Sequence, residues 1–222
     1  MIKKIILLLL CMILCGCMET EDLEDKLPDA FALEKDELSI HRNNYTDYID
    51  YYLPSDMQEY DCNEISHVFV FNRSKIIMDV NISGIINAKY YSDIVVNDEG
   101  FFDPDKLFFS RESSFRKNDE TDHLYLCKIY SYEESYLLYF VCEDAIFYAY
   151  TNREDLLPLS SRILLIAKSL NVDNDDIIAD FSFKDVIDYQ KKQVNLFETI
   201  MPVNGNINEF LIGQDVNNDE GE

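Results

Sequence analysis

The sequence predicts an α+β fold: an antiparallel sheet or meander in the middle of the chain, with helices towards the C-terminus. Three observations predict it. Residues 123–151 hold three apolar, aromatic runs, His123–Tyr132, Ser135–Cys142 and Ala145–Tyr150, separated by Glu133-Glu134 and Glu143-Asp144. Such runs joined by polar pairs read as neighbouring strands with a covered face. Ile76, Met78, Val80 and Ile82 alternate with polar Asp79 and Asn81, the period of a strand. After Pro158 the apolar spacing becomes helical, and strands followed by helices is an α+β order.

Taken in order, the first element expected is a short helix. Tyr45, Tyr48, Ile49, Tyr52 and Leu53 fall at i, i+3, i+4, i+7 and i+8, Asn44 can cap the start and Pro54 stops it. Strands are expected at His67–Phe71 and Ile76–Ile82, split by Asn72-Arg73-Ser74, then at 84–96 and 107–115, split by the turn at Asn97-Asp98-Glu99-Gly100. Arg116–Asp122 is a polar loop, and the meander of 123–151 follows. Ser160 or Ser161 is expected to cap a helix bearing Ile163, Ile166, Ala167 and Leu170. A second helix is expected from Ser182-x-x-Asp185 towards Phe197.

The 222 residues are 47% hydrophobic and 13% aromatic, enough to bury a core and to set wholesale disorder aside. The net charge is −24. Lys3 and Lys4 are the charged residues of 1–16, so the remainder carries 17 basic against 43 acidic residues, or −26. Nucleic-acid binding needs phosphate neutralisation, and this field has the wrong sign. An anionic membrane surface repels the domain too, which removes electrostatics as a means of attachment.

The N-terminus has three zones: basic Met1–Lys4, apolar Ile5–Leu14, and small Gly16 before Cys17. The apolar run has the length of a signal-peptide core and falls short of the ~20 residues that span a bilayer. Leu14-Cys15-Gly16-Cys17 resembles the lipobox of bacterial lipoproteins. That resemblance implies a diacylglyceryl group on the Cys17 thiol, cleavage after Gly16 and acylation of the freed amino group. Cys11 and Cys15 each follow a Leu, too bulky for the cleavage position. An ordinary cleaved secretory signal and an uncleaved anchor are the competing forms. The chain then divides into a signal peptide (1–16), an acidic tether (17–38), one α+β domain (39–213) and an acidic tail (214–222).

Strong catalytic and metal spacings were sought in the domain. His41, His67 and His123 form no HExxH, and neither CxxC, GxSxG nor a Gly-rich phosphate loop occurs. His123 and Cys127 on one strand would stand roughly 13 Å apart, beyond proton-transfer reach. Cys62, Cys127 and Cys142 leave an odd thiol. A two-residue loop at Glu133-Glu134 would set Tyr132 against Ser135 and Cys127 against Phe140, making Cys127 and Cys142 diagonal neighbours with a disulfide as one option. Asp173-Asn174-Asp175-Asp176 fails as an EF-hand, because Ile178 and Lys184 occupy the sixth and twelfth places; a helix-capping turn is expected.

No cofactor and no catalytic or metal-ligating residue is assigned from sequence; Cys17 is the one site residue. The expected molecule is extracytoplasmic, held to the cell membrane by lipid, and a binding or scaffold module with an envelope protein as candidate partner. The rival is an envelope enzyme or small-solute-binding lipoprotein. A cleft gathering acids, or His67 or His123, among aromatics would favour the rival.

Overall fold

One seven-stranded antiparallel sheet organises the chain, and two meanders meet at its centre. The computed structural model describes residues 23–35, 40–91, 102–117 and 121–182. The described chain enters as a helical turn, α1 (Leu23–Lys26), running into a 3-10 helix over Leu27–Lys35. Two short strands follow, β1 (Asn44–Tyr45) and β2 (Ile49–Tyr51), and then three longer ones, β3 (Met57–Cys62), β4 (Ser66–Phe71) and β5 (Ser74–Val80). Helix α2 (Ile82–Tyr91) leads to β6 (Leu107–Arg116), β7 (Asp122–Tyr132), β8 (Ser135–Cys142) and β9 (Ala145–Asn152). Helix α3 (Arg153–Ser169), β10 (Asn171–Val172) and α4 (Asn174–Phe181) complete it. The large sheet has the order β3-β4-β5-β9-β8-β7-β6, and β1-β2-β10 form a small one.

The α+β class is therefore as the sequence predicts, and the 123–151 meander keeps its expected register. Tyr132 pairs with Ser135 and Cys127 with Phe140, because the Glu133-Glu134 loop has two residues and Glu133 takes a left-handed φ of 55°. Helix α3 covers one sheet face. Its Leu156, Leu159, Ile163 and Ile166 are fully buried in the same core as Phe140, Phe147 and Ala149 of β8 and β9. Each such side chain contributes roughly 1.5–3 kcal/mol of apolar burial.

Three local expectations are corrected. The helix expected at 44–54 is a pair of strands: Ile49 and Tyr51 are buried while Tyr45 is 69% exposed. Pairing with β10, far along the chain, decides this, through Asn171 against Asp50 and Val172 against Ile49. The strand expected at 84–96 is α2 as far as Tyr91, with Ile82 and Ile85 buried and Ile86 packed beside them at helical spacing. Helix α3 begins before Pro158, not after it. Asn152 caps it by accepting from the Asp155 amide at 2.9 Å. The proline forgoes a hydrogen bond to the carbonyl of Glu154, an exposed residue in the first turn. Ser160 instead donates back to the Leu156 carbonyl. Ser182, expected to cap a following helix, is the C-cap of α4. The turn at 97–100, the helix expected beyond Ser182 and the tail at 214–222 lie outside the described residues.

Residues 23–35, expected to belong to a tether over 17–38, are folded onto the sheet instead. Leu23, Leu27, Ala30 and Phe31 are buried in the core, and Phe31 stacks on Tyr125 and Phe109. Glu34, 4% exposed, holds the segment down. Its carboxylate accepts two hydrogen bonds from Arg111, at 2.7 and 2.9 Å, and others from Tyr125 and Ser113. Lys168 of α3 donates to the Leu33 and Glu34 carbonyls. Burial raises the Glu34 pKa, but the Arg111 and Tyr125 hydrogen bonds outweigh it and hold the carboxyl below its ordinary range. The resulting stabilisation is present above the ordinary carboxyl pKa and is lost as pH falls through the lowered value.

Helix α2 depends on a close approach at its start. Asn81 accepts from the Gly84 amide at 3.0 Å and donates to the Cys142 carbonyl at 3.0 Å, tying the cap to β8. A Cβ on Gly84 would meet the Asn81 side chain at 2.4–2.9 Å. Alanine normally stabilises a helix interior over glycine. Here Gly84→Ala displaces the buried cap, and urea unfolding should show a loss of about 0.5–2 kcal/mol. A gain in stability would refute the capping account.

Candidate functional site

The β3–β4 hairpin assembles a cluster that local spacing does not announce. Asn63 closes the turn: its side-chain oxygen accepts from the Ile65 and Ser66 amides at 3.0 and 2.8 Å, and its own amide donates to the Ser66 carbonyl. Cys62 and His67 therefore lie directly across the ladder. Residues three apart on a regular strand point to opposite faces. Between Glu59 and Asp61, however, the register shifts at a β-bulge. The extra residue returns Glu59 and Cys62 to the same face. Tyr60 points out, 70% exposed, beneath the Lys75 ammonium.

Behind this edge the site is aromatic and buried. His67 is wholly buried, stacked on Phe69 and met edge-on by Tyr51 at a centroid distance of 5.3 Å. Tyr51 donates to Glu59 Oε1 at 2.8 Å, and His67 Nδ1 lies 2.8 Å from that same oxygen and 3.2 Å from the Tyr51 hydroxyl. An ionised carboxylate only accepts and the phenol has one proton, so His67 Nδ1 carries a proton in this arrangement. Burial, then the Glu59 hydrogen bond, pushes the Tyr51 phenol upward, which keeps it a donor. His67 Nε2 is buried with no hydrogen-bond partner among the described residues. Glu59, Cys62 and His67 each offer one ligand-type atom, all within 4.8 Å of one another.

Sequence reasoning assigned no role to these three residues. His67 was named as a possible member of an acid-bearing aromatic cleft, but without its partners, and β3 was not anticipated. The signal that could have found them is Asn63, a turn former between a Cys and a His. The bulge has no comparable signature.

The other candidates disperse. His41 is exposed. His123 stacks on Phe115 and shares a 2.7 Å hydrogen bond with Thr121, while Tyr125 stands between it and Cys127 on that face of β7. An S-x-x-K spacing, which the sequence reading took to be missing, does stand at Ser114-Phe115-Arg116-Lys117, yet residues three apart on an extended end diverge, and Lys117 pairs with Asp144. Asp173 caps α4 through the Asp176 amide, as expected of that acidic turn. Asp79, desolvated on the opposite sheet face, has its pKa raised to about 6. Cys17 lies outside the described residues.

No protein-family model matches the chain, and no curated protein is significantly similar to it.

Cys62, Cys127 and Cys142 are all free thiols. Burial pushes Cys127 upward and Cys142 to about 11, whereas Cys62 is exposed. Thiolates are the reactive form. In the native chain an alkylating reagent should modify Cys62 and spare Cys127 and Cys142 until denaturant is added, as read by peptide mass spectrometry. Native labelling of Cys127 would contradict this packing.

Proposed function

We propose that the chain is an extracytoplasmic lipoprotein, held to the cell membrane through Cys17, whose domain is a binding module. The observation that carries the anchor is the N-terminal pattern: basic start, short apolar run, Leu14-Cys15-Gly16-Cys17. Charge cannot substitute for lipid at −26, and a single acyl chain at ~0.8 kcal/mol per methylene binds only marginally. Two or more chains on Cys17 supply stable attachment. Packing of Leu23 into the core leaves six residue steps from Cys17, a reach of roughly 20 Å at most. The domain in this reading sits close to the headgroups rather than on a long stalk.

The site chemistry bears on what the module binds. The Tyr51–Glu59–His67 group, an acid and an imidazole among aromatics, favours a small-ligand role over a purely protein-binding scaffold.

The anchor is tested with Cys17→Ala expressed in a bacterial host. The unaltered chain should partition into the detergent phase and incorporate labelled fatty acid; the variant should do neither. Equal partitioning of the two would end the lipoprotein reading.

A further inference from the structure

We infer that Glu59, Cys62 and His67 form a binding site for a divalent transition-metal cation of zinc's type. This deepens the binding-module reading but stands apart from the lipid anchor, so each fails separately. A thiolate, an imidazole and a carboxylate make a donor set suited to zinc, with bonds of about 2.0–2.3 Å and a fourth position left for water or another ligand atom. Donors around such an ion lie roughly 3.3–3.8 Å apart. The three ligand atoms, within 4.8 Å of one another, reach that spacing by small rotations of exposed Cys62 and of the Glu59 carboxylate about its Tyr51 hydrogen bond.

Two features argue for a built site rather than a chance meeting. His67 is fixed by Tyr51 and Phe69, so one ligand is pre-oriented by packing. The bulge after Glu59 has a geometric consequence that a regular strand would lack: it puts both β3 ligands on the His67 side. Edge bulges are recurrent devices for re-aiming side chains. Tyr51 donates to Glu59, orienting the carboxylate as an outer partner. The acidic surface adds a field that concentrates cations.

Protons balance as follows. Cys62 binds as thiolate and gives its proton to solvent. His67 Nδ1 yields the proton now shared with Glu59, which passes to Nε2, leaving a neutral imidazole bound through Nδ1. One proton is released for each ion bound.

The test uses the full chain in detergent, reduced and stripped of metal, titrated with zinc and with cobalt(II) as a spectroscopic substitute. One equivalent of zinc should bind, and cobalt should show thiolate-to-metal charge transfer. Cys62→Ser removes an exposed thiol and should leave the circular dichroism spectrum unchanged; it should abolish the charge-transfer band and weaken zinc binding at least ~100-fold. Glu59→Gln should weaken it ~10-fold or more, and the Cys17→Ala chain should bind zinc as the unaltered chain does. No stoichiometric binding, binding unaffected by Cys62→Ser, or equal competition by calcium would each overturn the site.

Discussion

A buried carboxylate, Glu34, pins the first described segment of the chain, residues 23–35, to the sheet. It receives the Arg111 guanidinium, the Tyr125 hydroxyl and the Ser113 hydroxyl from the sheet, while Lys168 of α3 takes the neighbouring carbonyls. Three separate elements thereby grip one short segment. An ion pair of this kind adds modest net stability, because desolvation offsets much of the attraction, but removing one partner is costly. Phe31 then seats against Tyr125 and Phe109, and Leu23 and Leu27 join the core. Under the lipid attachment proposed at Cys17, this contact limits how far the domain can stand from a membrane, since Leu23 is packed into the core.

Much of the fold was legible because its signals are local. The 123–151 meander shows alternation, aromatic runs and two-residue acidic turns, and the structure places these strands within a residue or two of expectation. What misled was competition between local and distant terms. Tyr45–Leu53 has helical spacing, yet β10 captures Ile49 and Asp50 into a ladder. Asn81 lay at the end of an alternating strand and concealed a cap that turns the next residues into a helix. Five acids between Glu19 and Asp25 suggested self-repulsion throughout 17–38, whereas Phe31 and Glu34 have partners more than seventy residues away.

The candidate site was not legible for a related reason. Metal motifs read from sequence are spacings within one helix or loop, and here the set is made by a turn plus a bulge. Cys62 and His67 are joined by Asn63, which has a recognisable turn chemistry. Glu59 enters only because the strand carries one residue too many at Tyr60. Tyr51 arrives from another sheet altogether.

The direct test of the Glu34 anchor is amide hydrogen exchange across residues 23–35 in the unaltered chain and in Glu34→Gln at neutral pH. Loss of the carboxylate opposite Arg111 should cost about 2–3 kcal/mol locally, accelerating exchange of these amides roughly 30–160-fold while β8 and β9 keep their protection. Equal protection of residues 23–35 in the two chains would contradict the claim that this carboxylate holds the segment to the sheet.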